Sequence, residues 1–388
     1  MSDKIRVLFA IGSMAGGGSE RQIVGLLRQL DRTRFTPLLY LVYRDGPLLA
    51  EVPEDVPIFA FWDRHTPPRW NYPGRILRLQ ARDMADVLRE QQIDLVYDRT
   101  FHMTMIASPA TRRCRVPRIS VSVADPQLAL EHNESRFTRL KQRRLRNDYH
   151  TADRVVAVSE GVRSALLQYY ELPARRVTMI YNMIDVERIE RLADEPGGDF
   201  EAGRFHIVSA GRLQPQKGYG VLLNALDDVI NRRGHEQVTA HIFGRGELQD
   251  ELERDVAAKR LREHVCFEGF QPNPLPAVRK ADLFCLPSLY EGMPNALIEA
   301  MVLQVPVLAT DCPSGPAEVL QSGKYGELVK PNNAKSLADA IEEALQNEDR
   351  WKRRVGPARE WVLETFSPTV GVAKVAALIE EIHASRRQ

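Results

Sequence analysis

The 388-residue sequence predicts an α/β protein built from two parallel-sheet domains. Three observations carry that prediction. The length exceeds what one small core organises, at ~100–200 residues per domain. Short apolar runs alternate with helical patterns from end to end, and such alternation implies parallel sheets covered by helices on both faces. One Gly-, Pro- and acid-rich segment, 194–203 (DEPGGDFEAG), separates two series of these runs and reads as a linker.

In the first series IRVLFAI (5–11), TPLLYLV (36–42), IDLVYD (93–98), RISVSV (118–123) and RVVAVS (154–159) read as buried strands. A helix is expected over Glu20–Leu30, with Ile23, Leu26, Leu27 and Leu30 on one face. The second series is FHIVSAG (205–211), TAHIFG (239–244), HVCFEG (264–269), LFCLPS (283–288) and PVLAT (306–310). A helix over Ser367–Ser385 closes the chain. The expected division is a first domain at 1–193, the linker at 194–203, a second domain at 204–366, and a C-terminal helix at 367–388 packing back toward the first domain.

Composition excludes several classes. With 44% hydrophobic and 27% charged residues the chain is not largely disordered. Lys+Arg (53) nearly cancels Asp+Glu (52), so no nucleic-acid partner is expected. No apolar run approaches the ~18–20 residues of a membrane span, and the start, MSDKIRVLFAIG, does not read as a signal peptide. Cys114, Cys266, Cys285 and Cys312 lie far apart and form no CxxC pair, which argues against any Cys-based zinc site and fits a reducing, cytoplasmic setting. Positive charge is concentrated at Arg136, Arg139, Lys141, Arg143, Arg144 and Arg146, interleaved with Phe137, Leu140 and Leu145. This reads either as a basic amphipathic segment lying on anionic lipid or as a solvated helix face.

In open parallel sheets ligands bind beyond the carboxyl ends of the strands, so those positions decide function. After the first strand comes GSMAGGGSERQ. It lacks both the G-x-G-x-x-G spacing and the Lys-Ser/Thr of a P-loop, which excludes a dehydrogenase. Gly17 and Gly18 let backbone approach a ligand, and Ser19 with Gln22 resembles a capping box. After FHIVSAG, Arg212 and Lys217 place two cations on one loop, a set that suits a diphosphate. After TAHIFG, Gly244 and Gly246 open a helix. The strongest signal follows LFCLPS, in SLYEGMPNALIE. Glu291 stands in the loop. The turn Gly292-Met293-Pro294 leads into a helix start whose Asn295 and Ala296 N–H groups favour a phosphate. Glu299 lies just over a turn further, where a carboxylate accepts from two adjacent hydroxyls.

As a set, GGGSE (16–20), SAGRLQPQKG, FGRGELQDELE, EGMPNALIE with its E-x7-E spacing, CPSGPAEVL (312–320), VSEGVRSAL and IYNMIDVERI resemble the retaining GT-B glycosyltransferases of family 4, the glycosyl transferases group 1. The resemblance covers essentially the whole chain. It implies two Rossmann-like domains facing a central cleft, and transfer of a hexose or N-acetylhexosamine from a UDP-sugar to a glycan or lipid-linked glycan in cell-surface polysaccharide synthesis. It implies no metal or other cofactor: Arg212, Lys217 and the helix start at Asn295 stabilise the leaving diphosphate. No D-x-D motif of the metal-dependent fold occurs in the sequence. By the same resemblance Glu291 holds the donor sugar, Glu299 the ribose, and the main chain at Gly269 and Phe270 the base.

One position departs from the family. The histidine expected just after the fourth strand is matched by Arg99, with His102 three residues on. His102 takes the catalytic role, or it shares that role with Arg99 or Asp98. Arg99, Arg139, Arg143, Arg144 and Arg146 belong to the acceptor or membrane side, with His132 and Asp125 as further candidates, and the enzyme is expected at the inner membrane face. The alternatives are a GDP-mannose donor, a sugar-nucleotide epimerase or phosphorylase, and a non-catalytic binding module.

Overall fold

The computed structural model describes residues 4–70, 72–128 and 138–387. The chain forms two compact units, Met1–Met183 with Pro368–Gln388, and Ile184–Ser367.

The first unit is built on seven strands: β1 (Ile5–Ile11), β2 (Phe35–Leu41), β3 (Ile58–Ala60), β4 (Leu95–Arg99), β5 (Arg118–Ser122), β6 (Arg154–Ala157) and β7 (Val177–Met179). They pair in the order β3-β2-β1-β4-β5-β6-β7, all parallel. Continuous apolar runs form these strands because both sheet faces are covered. Leu8, Leu38, Tyr40 and Val96 on one face pack against Met84, Val87 and Leu88 of the helix Arg75–Glu90 and Met103 and Ile106 of the helix Phe101–Cys114.

The C-terminal helix, Pro368–Arg387, belongs to this unit. It buries Val375, Leu378, Ile379 and Ile382, and Arg386 pairs with Asp153 at 2.6 Å. By length and composition the stretch Glu348–Arg386 contains a window apolar enough to cross a membrane, contrary to the expectation from the sequence. Of that window 44% is buried within the protein.

The second unit carries β8 (Phe205–Ala210), β9 (Val238–Phe243), β10 (Val265–Gly269), β11 (Leu283–Leu286), β12 (Val307–Thr310) and β13 (Glu327–Val329). Their order is β10-β9-β8-β11-β12-β13, again all parallel. Its core joins Ile207, Ala240, Ile242 and Leu308 to Leu222, Leu223, Leu226, Leu337 and Ile341 of the covering helices.

The expected linker at 194–203 needs correction. The chain passes between units at Met183/Ile184 and at Ser367/Pro368, and 194–203 lies within the second unit. There Lys280 Nζ donates to the Gly197 carbonyl at 2.9 Å and Asn273 Nδ2 donates to Glu195 at 2.8 Å. The segment's Gly, Pro and acid content thus serves a turn packed on a helix, not a free tether. Helix Val186–Ala193, assigned from sequence to the first domain, also lies in the second unit.

In each sheet the strand order reverses once, between β1 and β4 and between β8 and β11. Connections leave in opposite directions at such a reversal, opening a crevice at the strand ends.

Candidate functional site

The reversal in the second unit brings together the two loops singled out by spacing. Lys217 follows β8 and Glu291 follows β11, and Lys217 Nζ donates to Glu291 Oε1 at 2.6 Å. The side chains are 17% and 6% exposed, so this pair is largely withdrawn from water. Ser288 Oγ donates to the same Glu291 oxygen at 2.6 Å, and Thr310 Oγ1 donates to the Ser288 carbonyl. The Glu291 N–H donates to the Pro313 carbonyl at 3.1 Å, which draws in the CPSGP segment. Glu291 is therefore fixed by a cation, a hydroxyl and its own backbone before any ligand arrives, the pre-organisation that electrostatic catalysis requires.

Backbone contacts hold the two loops in place. The Leu289 N–H donates to the Gln216 carbonyl at 2.8 Å, and Gln216 Nε2 returns a bond to the Tyr290 carbonyl at 3.0 Å. Between them Gly218 has φ +66°, and a Cβ there would lie 2.1 Å from the Pro287 carbonyl oxygen, so only glycine permits the approach. Gly244 and Gly246 act likewise. A Cβ on them would meet the Gly211 and Leu213 carbonyl oxygens at 1.9 and 2.2 Å. These glycines let the loops after β8 and β9 pack backbone to backbone, a constraint beyond the ligand approach their spacing suggested.

Arg212 is exposed on the loop beside Lys217. Burial raises the Tyr290 phenol pKa, and the positive charge of nearby Arg212 works against that rise. Burial and neighbouring Glu291 push the Cys312 thiol to about 12, which leaves it an inert packing group. The helix after Glu291 spans Asn295–Val302, with Pro294 at its N-cap and Glu299 half-buried along it. The expectation for Asn295 is corrected in part, because its N–H donates to the Met293 carbonyl at 3.0 Å. Gly292 and Met293 are buried beneath this turn, and Ala296 is half-buried. Gly269 ends β10 at φ +69° and accepts from the Gly244 N–H at 2.8 Å, while Phe270 beside it is 59% exposed.

The first unit's reversal brings the glycine loop and the Arg99–His102 segment to the ends of β1 and β4. Gly17 is the N-cap of helix Gly18–Gln29, without a side-chain cap. The expected capping box does not form, because Gln22 turns inward and exchanges two bonds with the Met183 backbone, at 2.7 and 2.6 Å. Arg99 also points inward, 4% exposed, and donates to Asn182 Oδ1 at 2.6 Å. It is a buried residue at the end of β4. Asp98 is fully buried, accepting from Thr104 and Ser120 at 2.6 Å each and pairing with Arg118 at 3.3 Å, which fixes it in the packing.

His102 lines an open groove of about 600 Å³ with Tyr43, Tyr72, Leu77, Phe101 and Lys141. Burial against the groove wall, with the positive charge of Lys141 near, lowers its imidazole pKa from the usual value. Asp125 accepts from the Gln127 and Leu128 N–H groups at 2.9 and 3.1 Å, a capping role. His132, Arg136 and Phe137 lie outside the described residues. Of the basic segment, helix Thr138–His150 places Arg139 and Arg143 at the surface beside Leu140, which is 67% exposed. Arg144 and Arg146 are engaged within the unit. Arg144 donates to the Met105 carbonyl at 3.0 Å, and Arg146 pairs with Glu171.

Sequence reasoning missed Ser288, Gln216 and Tyr72. Ser288 and Gln216 lay inside quoted motifs, but their bonds run to side-chain and backbone partners that spacing does not reveal.

Two parallel-sheet α/β units, each with one reversal of strand order, define the GT-B fold. Residues 16–188 match the Glycosyltransferase Family 4 domain and residues 193–361 the Glycosyl transferases group 1 domain. The chain thus carries both of these glycosyltransferase domain types on a GT-B fold. Its fold is similar to Alr3699/HepE of Anabaena, solved in complex with UDP and glucose, with a TM-score of 0.79, 22% identity, and 97% and 99% of the two chains covered. In sequence it is 30% identical over 200 residues to the N-acetylgalactosamine-N,N'-diacetylbacillosaminyl-diphospho-undecaprenol 4-alpha-N-acetylgalactosaminyltransferase of Campylobacter jejuni, covering 52% of this chain and 53% of that one. It is 35% identical over 183 residues to the phosphatidyl-myo-inositol mannosyltransferase of Mycobacterium leprae, covering 46% and 47%. The chain spans about half the length of the curated relatives it matches.

Proposed function

We propose that this protein is a metal-independent, retaining glycosyltransferase. It moves a hexose or N-acetylhexosamine from a UDP-sugar to a glycan or lipid-linked glycan in polysaccharide synthesis. The observation that carries this reading is the 2.6 Å Lys217–Glu291 pair at the strand-order reversal of the second unit. Lys217, fixed in advance by Glu291 and largely withdrawn from water, and the exposed Arg212 meet the negative charge that grows on the departing diphosphate. Glu291 accepts from sugar hydroxyls and Glu299 from the ribose. The bond from the anomeric carbon to the diphosphate oxygen breaks, and the acceptor hydroxyl bonds to that carbon on the same face. Its proton passes to the leaving phosphate oxygen, so no covalent nucleophile from the protein is needed.

The acceptor lies in the first unit's groove. Its aromatic walls suit the apolar face of a sugar ring. Lys141, together with Arg78 stacked 5.1 Å over Tyr72, suits an anionic group such as a lipid diphosphate. The Campylobacter relative's diphospho-undecaprenol name supports such an acceptor. The enzyme works in the cytoplasm at an anionic membrane face, on which Arg139, Leu140 and Arg143 rest.

The test is nucleotide release from a panel of UDP-sugars and GDP-mannose, with and without chelator. Release from a UDP-sugar, unchanged by chelator, is expected. Release from GDP-mannose alone would establish the second reading, which the mannosyltransferase relative supports. No release from any donor, with nucleotide still bound, would reduce the protein to a binding module.

A further inference from the structure

On β9 and the edge strand β10, away from the Lys217–Glu291 pair, a second cluster forms. His241 lies opposite Cys266 in the parallel pairing, and Glu268 follows two residues along. One ligand atom from each of the three lies within 4.8 Å of the others.

A chain of polar contacts runs inward from this cluster. His206 Nε2 donates to the Glu201 carbonyl oxygen at 2.8 Å. His206 Nδ1 stands 3.2 Å from His241 Nε2. His241 Nδ1, on the other side of its ring, faces Glu268 Oε1 at 2.9 Å.

We propose that His241 Nδ1, Cys266 Sγ and a Glu268 carboxylate oxygen bind one divalent metal ion, Zn²⁺ by their chemistry, with water as fourth ligand. Imidazole, thiolate and carboxylate are the zinc ligand set, and four-coordinate geometry leaves one place for water. The chain from His241 Nε2–H through His206 to the Glu201 carbonyl is the outer support that orients a metal-bound imidazole. Phe200 stacks on both rings, with centroids 4.5 and 4.2 Å away. The ion clamps the exposed edge strand to β9 and takes no part in sugar transfer. Cys266 gives up its thiol proton on binding.

Full-length protein, freed of metal by chelator, is titrated with Co²⁺ as the probe. One Co²⁺ per chain is expected, with a thiolate-to-cobalt charge-transfer band and four-coordinate visible bands. Cys266→Ser removes the charge-transfer band. Glu268→Gln keeps the band and weakens binding by about tenfold or more. Cys266 is exposed, so its serine variant keeps the fold, and circular dichroism checks this. Zn²⁺ should raise the melting temperature of the wild type and not of Cys266→Ser. No thiolate band at stoichiometric Co²⁺, or a band that survives Cys266→Ser, would overturn the proposal. Nucleotide release is measured in parallel. Because that activity is independent of this site, either proposal can fail alone.

Discussion

Lys217 and Glu291 each restrain the other, and that coupling decides what substitution does. Removing one member of a largely buried ion pair leaves the other charge uncompensated, at about 3–5 kcal/mol. Lys217→Ala should therefore lower both the melting temperature and turnover, the latter by ~10²–10³-fold, as for loss of one transition-state donor. A Lys217→Met/Glu291→Gln double variant separates the two effects. It should recover most of the lost melting temperature while transfer stays abolished, as measured by thermal denaturation and product formation. Recovery of transfer in that variant would remove the pair from the chemistry. Ser288→Ala should lower turnover less, because Glu291 keeps its contacts to Lys217 and Pro313. At this scale the sequence exposes charged residues at special spacings but not what each side chain touches. Lys217 and Glu291 were legible, whereas Arg99, matched by position to the family histidine, is buried against Asn182.

Ten strands were legible as apolar runs, because parallel strands buried on both faces need them. β3, β7 and β13 were not. Each is three residues long and lies at a sheet edge, too short to build a pattern. The helix Thr138–His150 shows a different limit. Composition marked all its arginines as equivalent, but folding ties Arg144 to the Met105 carbonyl and Arg146 to Glu171 and leaves Arg139, Leu140 and Arg143 outward. Replacing those three by Ala should cut sedimentation with anionic vesicles several-fold, most strongly at low salt. Replacing Arg146 should change it little. Equal binding by all variants would make this helix a solvated face.

Across the whole molecule, the fold class and the two-unit plan were readable from the alternation of elements, and the crossing points were not. The chain changes units at Met183/Ile184, ten residues before the segment that composition marks, because tight packing on a helix and a free tether use the same Gly- and Pro-rich vocabulary. The strand-order reversals could not be read either, since pairing order is a tertiary property. They nonetheless decide where ligands go, and in the second unit the reversal coincides with the Lys217–Glu291 pair. Amide hydrogen exchange with and without UDP tests that coincidence most directly. The account predicts protection confined to 211–218, 244–249, 269–270 and 288–299, lost in Lys217→Ala that remains folded. Unchanged exchange across those four segments, with protection elsewhere, would contradict it.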